Sequence, residues 1–179
     1  MTEPFLLPRL ALIRHMPAAV APGVCYGRLD LAVRDDVDPA LVLEALQGFP
    51  AKRLLCSPAR RCRELAELVT AATDLVSEAD KRLLELDFGA WEGMPWDAVP
   101  RAALDDWAAD PWGFAPPGGE SGAELVARVR AFHAEMNESA IIVAHGGPLK
   151  VLRCLLEGRA VDLLAPAQPP GSVWFSPPK

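Results

Sequence analysis

The chain reads as an α/β protein: a three-layer α/β/α sandwich around a mostly parallel sheet, with a small helical insert. Three observations predict it. Short apolar runs alternate with segments that begin on helix caps, the β-α-β-α order that builds a covered parallel sheet. Two of those runs, Leu10-Ala11-Leu12-Ile13 and Ala140-Ile141-Ile142-Val143-Ala144, are apolar throughout, as strands buried on both faces are. Each run leads to a histidine, His15 directly after Arg14 and His145 directly before Gly146-Gly147. In open α/β sheets ligands gather outside the carboxyl ends of strands. Two strands of one parallel sheet would therefore bring His15 and His145 together at one edge.

The elements follow in order. Residues 9–13 read as the first strand and residues 18–34, with Pro22, Gly23 and Gly27, as an irregular loop. Asp38-Pro39 supplies a cap and a helix-first proline, and Leu41, Leu43, Ala45 and Leu46 carry a helix to about Gln47. Residues 53–56 make a second strand. Ser57-Pro58 starts the next helix, with Leu65, Leu68 and Val69 on its inner face. Residues 82–86 read as a strand bending into Asp87-Phe88-Gly89. The insert, residues 90–119, is rich in Trp, Pro and Asp, with short helices over 96–109 and a turn at Pro116-Pro117-Gly118-Gly119. Ser121 and Glu124 form a capping box for a helix to about Met136. After the strand at 140–144, Gly146-Gly147-Pro148 opens a helix to about Leu156, and residues 172–175 make a last strand.

A chain of 179 residues, 51% of them hydrophobic, fits one domain over 1–179 and excludes a disordered protein. The net charge of −6, with no basic run, speaks against a nucleic-acid partner. No apolar stretch reaches the length of a membrane span. Met1 to Pro8 is broken by Glu3 and Pro4 and lacks a basic start, so it is a poor signal peptide. Cys25, Cys56, Cys62 and Cys154 show no CxxC spacing and read as reduced thiols of a cytoplasmic protein.

Four segments carry chemistry. In Arg14-His15 a permanent cation beside an imidazole keeps it neutral, as a nucleophile requires, and offers a donor fork suited to phosphate. At His145-Gly146-Gly147-Pro148 a helix N-terminus meets a strand end, which suits an anion, although a plain strand-to-helix turn fits equally well. Cys56-Ser57-Pro58-Ala59-Arg60-Arg61 puts two arginines in a first helical turn, where a bound anion would offset their dipole cost, and at least one of the pair reads as solvated. Glu85, between Leu84 and Leu86, sits either exposed at the edge or in an apolar pocket with a raised pKa, the state of a general acid. HExxH, G-x-S-x-G, the P-loop and the dinucleotide fingerprint are all absent, so no metal and no cofactor are expected. His133, the third histidine, lies mid-helix and reads as a surface residue.

LALIRHMP, CSPARRCRELAEL, LLELDFGAWEG, PGGES and IIVAHGG stand in the order and spacing of the histidine phosphatase superfamily, which the chain resembles from about Leu10 to Leu156. The resemblance implies the phosphoglycerate mutase-like fold, with the insert over the pocket, and a small phosphorylated substrate. It implies His15 as the nucleophile that becomes a phosphohistidine, and Arg14 and Arg61 as phosphate ligands. It further implies His145 as the second pocket histidine and Glu85 as proton donor, with Gly146 at the anion. After Arg14-His15 the family has glycine, an acidic residue and Ser/Thr, then an asparagine on the phosphate. Here Met16-Pro17-Ala18 follows, and Ala18 to Ala21 hold no polar side chain. That contact is either missing, at a cost of about 1.5–3 kcal/mol for one hydrogen bond to a charged group, or supplied from elsewhere, with Arg28 as a candidate.

Within the family, VCYGRLDLAV, which holds Tyr26 and Arg28, resembles the loop of α-ribazole phosphatases. That resemblance implies α-ribazole 5′-phosphate, a cobalamin precursor, as substrate, with Tyr26 and Arg28 as binding residues. A broad sugar-phosphate phosphatase and a catalytically weak phospho-ligand module are the alternatives. The tryptophans at 91, 96, 107 and 112 either line a lid or pack the insert onto the sheet. Residues 163–170, rich in proline, dress the pocket or an interface.

Overall fold

The structure, a computed structural model, describes residues 8–177. The reading of Met1 to Pro8 as a poor signal peptide falls, but for Pro8, outside the described residues. Five strands form one sheet in the order β3-β2-β4-β1-β5. β1 (Leu10–Arg14) and β4 (Ala140–Ala144) are parallel neighbours, paired from Leu10 with Ala140 to Arg14 with Ala144. β2 (Arg53–Cys56) runs parallel on the far side of β4, and β3 (Ser77–Ala79) runs parallel to β2 at the edge. β5 (Val173–Phe175) closes the other edge, antiparallel to β1.

The strand period of two sorts the side chains onto two faces. Leu10, Leu12 and Ile142 join α4 (Gly122–Ala134) and α5 (Gly146–Leu156) in one buried cluster. Ala11, Ile13, Ile141 and Val143 join α1 (Ala40–Ala45) and α2 (Arg60–Thr73) in another. Helices thus cover both faces of a mostly parallel sheet, and the layers are three. The capping box of Ser121 and Glu124 is present at the head of α4.

Four local expectations are corrected. Residues 82–86 form no strand: Lys81–Leu83 is a single 3-10 turn, and α4 supplies what a strand partner would have. Arg128 donates to the carbonyls of Arg82 at 2.6 Å and Glu85 at 3.1 Å. The edge strand lies earlier, at β3. The second helix starts at Arg60 rather than at Ser57-Pro58, because Ser57 is held at the sheet edge. Leu68 is 44% exposed, since it flanks the buried stripe of Cys62, Leu65, Ala66 and Val69. The Asp38 carboxylate accepts from Ala40, and the first helix runs only to Ala45.

The insert holds turns at Gly89–Trp91 and Trp96–Ala98 and the helix α3 (Arg101–Ala109). Trp91 is buried with Cys25 and Val99, and Trp96 packs against them. Trp107 stacks on Trp96 with centroids 6.1 Å apart and planes within 4°. Residues 163–172 lie beside the ends of β1 and α5. The Gly171 amide donates to the carbonyls of Arg14 and His15, and the Gln168 side chain to those of Leu12 and Ser172. No helix among the described residues is long and apolar enough to cross a membrane.

Candidate active site

The register of the parallel strands builds the site. β1, β4 and β2 end side by side, so that the His15 amide donates to the Ala144 carbonyl at 3.0 Å and the Ser57 amide to Val143 at 2.9 Å. His15, Ser57 and His145 therefore leave the sheet at one level. The two imidazoles meet edge to face, centroids 5.1 Å apart. His15 is 1% exposed and His145 and Arg61 are 0% exposed.

The partners of each ring fix its proton, because a carbonyl only accepts and a guanidinium only donates. His15 Nδ1 lies 2.6 Å from the Met16 carbonyl and must carry the proton. Its Nε2 faces Arg61 Nε at 3.3 Å and must hold the lone pair. His145 is the reverse: Nδ1 accepts from Arg61 Nη2 at 3.1 Å, and Nε2–H donates to the Ser57 hydroxyl at 2.8 Å. Burial first, and then the Arg61 and Arg14 charges, lower the His15 pKa to about 3, against the raising effect of the Met16 carbonyl. His145 is held well below the ordinary imidazole value, first by burial, then by Arg61, His15 and Arg14. Both rings are neutral at neutral pH.

Arg61 leaves α2 in its first turn and is locked in place. It donates to the carbonyls of Gly27 and Leu29 at 2.7 and 2.8 Å, and its guanidinium lies over the Tyr26 ring at 5.3 Å. Arg60 instead points outward and pairs with Glu64. Arg14 donates from Nη1 to the Gln168 carbonyl at 2.6 Å. Its Nε is buried and meets no partner among the described residues. A buried donor in that state costs about 1–3 kcal/mol, a cost that an oxyanion at the same place removes.

Beside these groups opens a cavity of about 170 Å3. Arg14, Glu85, Gly146, Gly147 and Lys150 give it polar walls, and Phe88, Trp107, Leu125 and Leu164 are among its apolar ones. Glu85 enters from the segment that α4 holds. Its carboxylate accepts from the Gly147 amide at 3.1 Å and the Leu86 amide at 2.9 Å. A Cβ on Gly147 would stand 2.3 Å from Glu85 Oε1, so only glycine admits the carboxylate there. Gly146 likewise faces the Arg14 guanidinium, 3.4 Å from where its own Cβ would be. The proline-rich segment does dress the pocket, through Leu163, Leu164 and Ala167.

Arg14, Arg61, His15, His145, Glu85 and Gly146 are thus gathered at one strand edge. Of these, Arg14, Glu85 and Gly146 line the cavity, whereas His15, His145 and Arg61 lie buried beside it, and Tyr26 and Arg28 are not among its lining residues. Arg28 Nε donates to the Glu85 carbonyl at 2.8 Å, and its fork pairs with Glu120, which also binds Arg128. His133 does not line the cavity either. The sequence reading missed Ser57, Lys150, Arg128, Gln168 and Glu92. Glu92 collects the amides of Gly27, Arg28, Leu29 and Phe88, and so sets the carbonyls that hold Arg61. Ser57 could have been found from its place at the end of the Arg53–Cys56 strand, and Lys150 from its spacing, one helical turn after Gly146. Arg128, Gln168 and Glu92 carry no such signal. Among the described residues no cluster of three or more His, Cys, Asp or Glu side chains could hold a metal ion.

A strand-edge pair of neutral histidines held by Arg61, with the Arg14 guanidinium at the adjoining cavity, has the chemistry to receive an anion. The chain belongs to the histidine phosphatase superfamily, branch 1, whose family model matches residues 11–173, and it is a phosphatase. It is 29% identical over 169 residues, 87% of its length and 78% of the relative's, to phosphoserine phosphatase 1 of Hydrogenobacter thermophilus. A second protein of that organism is 31% identical over 170 residues, 87% of this chain and 82% of its own length. Among solved structures, the mycobacterial glucosyl-3-phosphoglycerate phosphatase superposes with a TM-score of 0.75 at 27% identity, covering 86% of this chain and 81% of that one. The α-ribazole phosphatase of Shigella flexneri superposes with a TM-score of 0.82 at 25% identity, covering 93% and 89%.

Proposed function

We propose that the chain hydrolyses a small organic phosphomonoester through a phosphohistidine on His15. The observation that carries this reading is the tautomer: His15 Nε2 holds its lone pair beside Arg61 while Nδ1–H is anchored on Met16. Nε2 attacks phosphorus in line and the ester P–O bond breaks. Glu85, protonated, gives its proton to the departing alkoxide. Arg14, Arg61 and the amides at the head of α5 take up charge on the equatorial oxygens. His145 contributes its single N–H, on Nε2, either directly or through the Ser57 hydroxyl. Glu85 then removes a proton from water, whose oxygen attacks phosphorus. The P–N bond breaks, and His15 returns to its neutral tautomer. The arginines supply the charge neutralisation, so the scheme requires no metal.

The relatives' names divide among phosphoserine, glucosyl-3-phosphoglycerate and α-ribazole phosphate as substrates. The VCYGRLDLAV likeness favours α-ribazole 5′-phosphate, and Trp107 in the cavity wall offers an aromatic surface for its base. The four buried free thiols agree with a reducing, cytoplasmic setting. Phosphate release in EDTA, from these three esters and simple sugar phosphates, tests the reading. Release by the wild type that His15→Ala abolishes supports it. Release that survives in His15→Ala overturns it, and a wild type inert on every ester favours a phospho-ligand module.

A further inference from the structure

Three charged side chains line the cavity, and the proposed chemistry employs two of them, Arg14 and Glu85. The third, Lys150, has no part in it. Lys150 lies one turn along α5 from Gly146, and i, i+4 spacing puts both on one face of the helix. Its half-buried ammonium carries three donors, of which one reaches the Leu163 carbonyl at 2.7 Å. Among the described residues no carboxylate forms an ion pair with it. Burial lowers its pKa, with Glu85 and Asp162 pulling the other way. A partly desolvated cation with no carboxylate within ion-pair distance gains when an anion meets it directly. Around it the wall is apolar: Phe88, Trp107 and Leu125, with Leu164 60% exposed. Pockets of this make-up use their few polar groups to fix a ligand's orientation.

We propose that Lys150 determines specificity by binding a carboxylate on the body of the substrate, whose apolar part lies against Trp107 and Leu164. The proposal rests on the phosphatase reading for the place of the phosphoryl group. One ammonium matches one monoanion. A second phosphate, as dianion, would leave one charge unmatched, because Arg14 serves the reacting phosphoryl group. This departs from the loop likeness, since α-ribazole 5′-phosphate carries no carboxylate, and the acid-over-ester preference decides between the two substrates.

The test compares 4-carboxybenzyl phosphate with its methyl ester, which differ at that group by the charge and one methyl and keep the same kind of leaving group. Wild type, Lys150→Met and Lys150→Arg are assayed. The wild type is expected to favour the acid by about tenfold or more in kcat/KM. Lys150→Met should erase that preference through KM with kcat kept, and Lys150→Arg should retain it. Calorimetric binding of the two matching phosphonates to the wild type keeps the proposal independent of turnover. Preferential binding of the acid without turnover of either ester supports Lys150 while overturning the phosphatase reading. Equal binding or equal turnover of acid and ester overturns the Lys150 proposal. So does a Lys150→Met variant that loses both activities by the same factor, the mark of a lysine that only holds Leu163.

Discussion

At the scale of single residues, two backbone groups prepare the chemistry. The Met16 carbonyl accepts from His15 Nδ1–H and so leaves the lone pair on Nε2. That contact needs no side chain, so it is kept where Met16-Pro17-Ala18 replaces the family's residues. The Gly147 amide fixes Glu85 at the cavity wall. Gly147→Ala would place a methyl group 2.3 Å from Glu85 Oε1 and expel the carboxylate. Within a helix alanine is otherwise better than glycine by about 1 kcal/mol. The expected result is a kcat for alkyl phosphates reduced about 100-fold or more, with little change in melting temperature. 4-Nitrophenyl phosphate, whose leaving group needs no proton, should be hydrolysed nearly as before. An equal loss on both substrates would contradict the role given to Glu85.

At the scale of elements, the site depends on three strand ends at one level and on the segments that brace them. The three centre strands were legible because their apolar runs are bounded sharply, and α5 because Gly146-Gly147-Pro148 marks its start. The gathering of His15 and His145 followed from that alone. Arg61 was distinguished from Arg60 by resemblance, and its burial follows from where α2 starts. β3 was not legible: Ser-Glu-Ala is too short and polar to announce a strand, and its pairing with β2 is tertiary. Residues 82–86 look like a strand because leucines flank Glu85, but Leu83 and Leu86 join the buried cluster that holds α4, and Arg128 satisfies the backbone. Arg28 reads as a substrate ligand through the resemblance of its loop, whereas the fold turns its guanidinium toward the Glu85 carbonyl and Glu120. Such long-range polar partners leave no local trace.

At the scale of the whole molecule, an acidic chain buries a cationic centre. The net charge is −6, yet Arg14, Arg61 and Lys150 converge at one sheet edge. The two imidazoles remain neutral there at a cost that appears in acid. Below the ordinary pKa of 6.5 the unfolded chain protonates both, while folded His15 holds out to about 3 and His145 also resists. The unfolded state then binds more protons, so stability falls as pH falls through this window. By pH 5 His15 alone accounts for a loss of about 2 kcal/mol. Urea unfolding at pH 7 and pH 5 should show the decline, and His15→Gln should make it shallower. Unchanged stability between the two pH values would contradict the neutral, buried state of these rings.

The most direct measurement of the central claim is to quench the enzyme in base during turnover of a phosphomonoester and map the phosphate by mass spectrometry. The account predicts an acid-labile phosphoryl group on His15 Nε2, absent from His15→Gln. Phosphate carried by another residue, or full turnover with no covalent phosphoenzyme at any quench time, would contradict it.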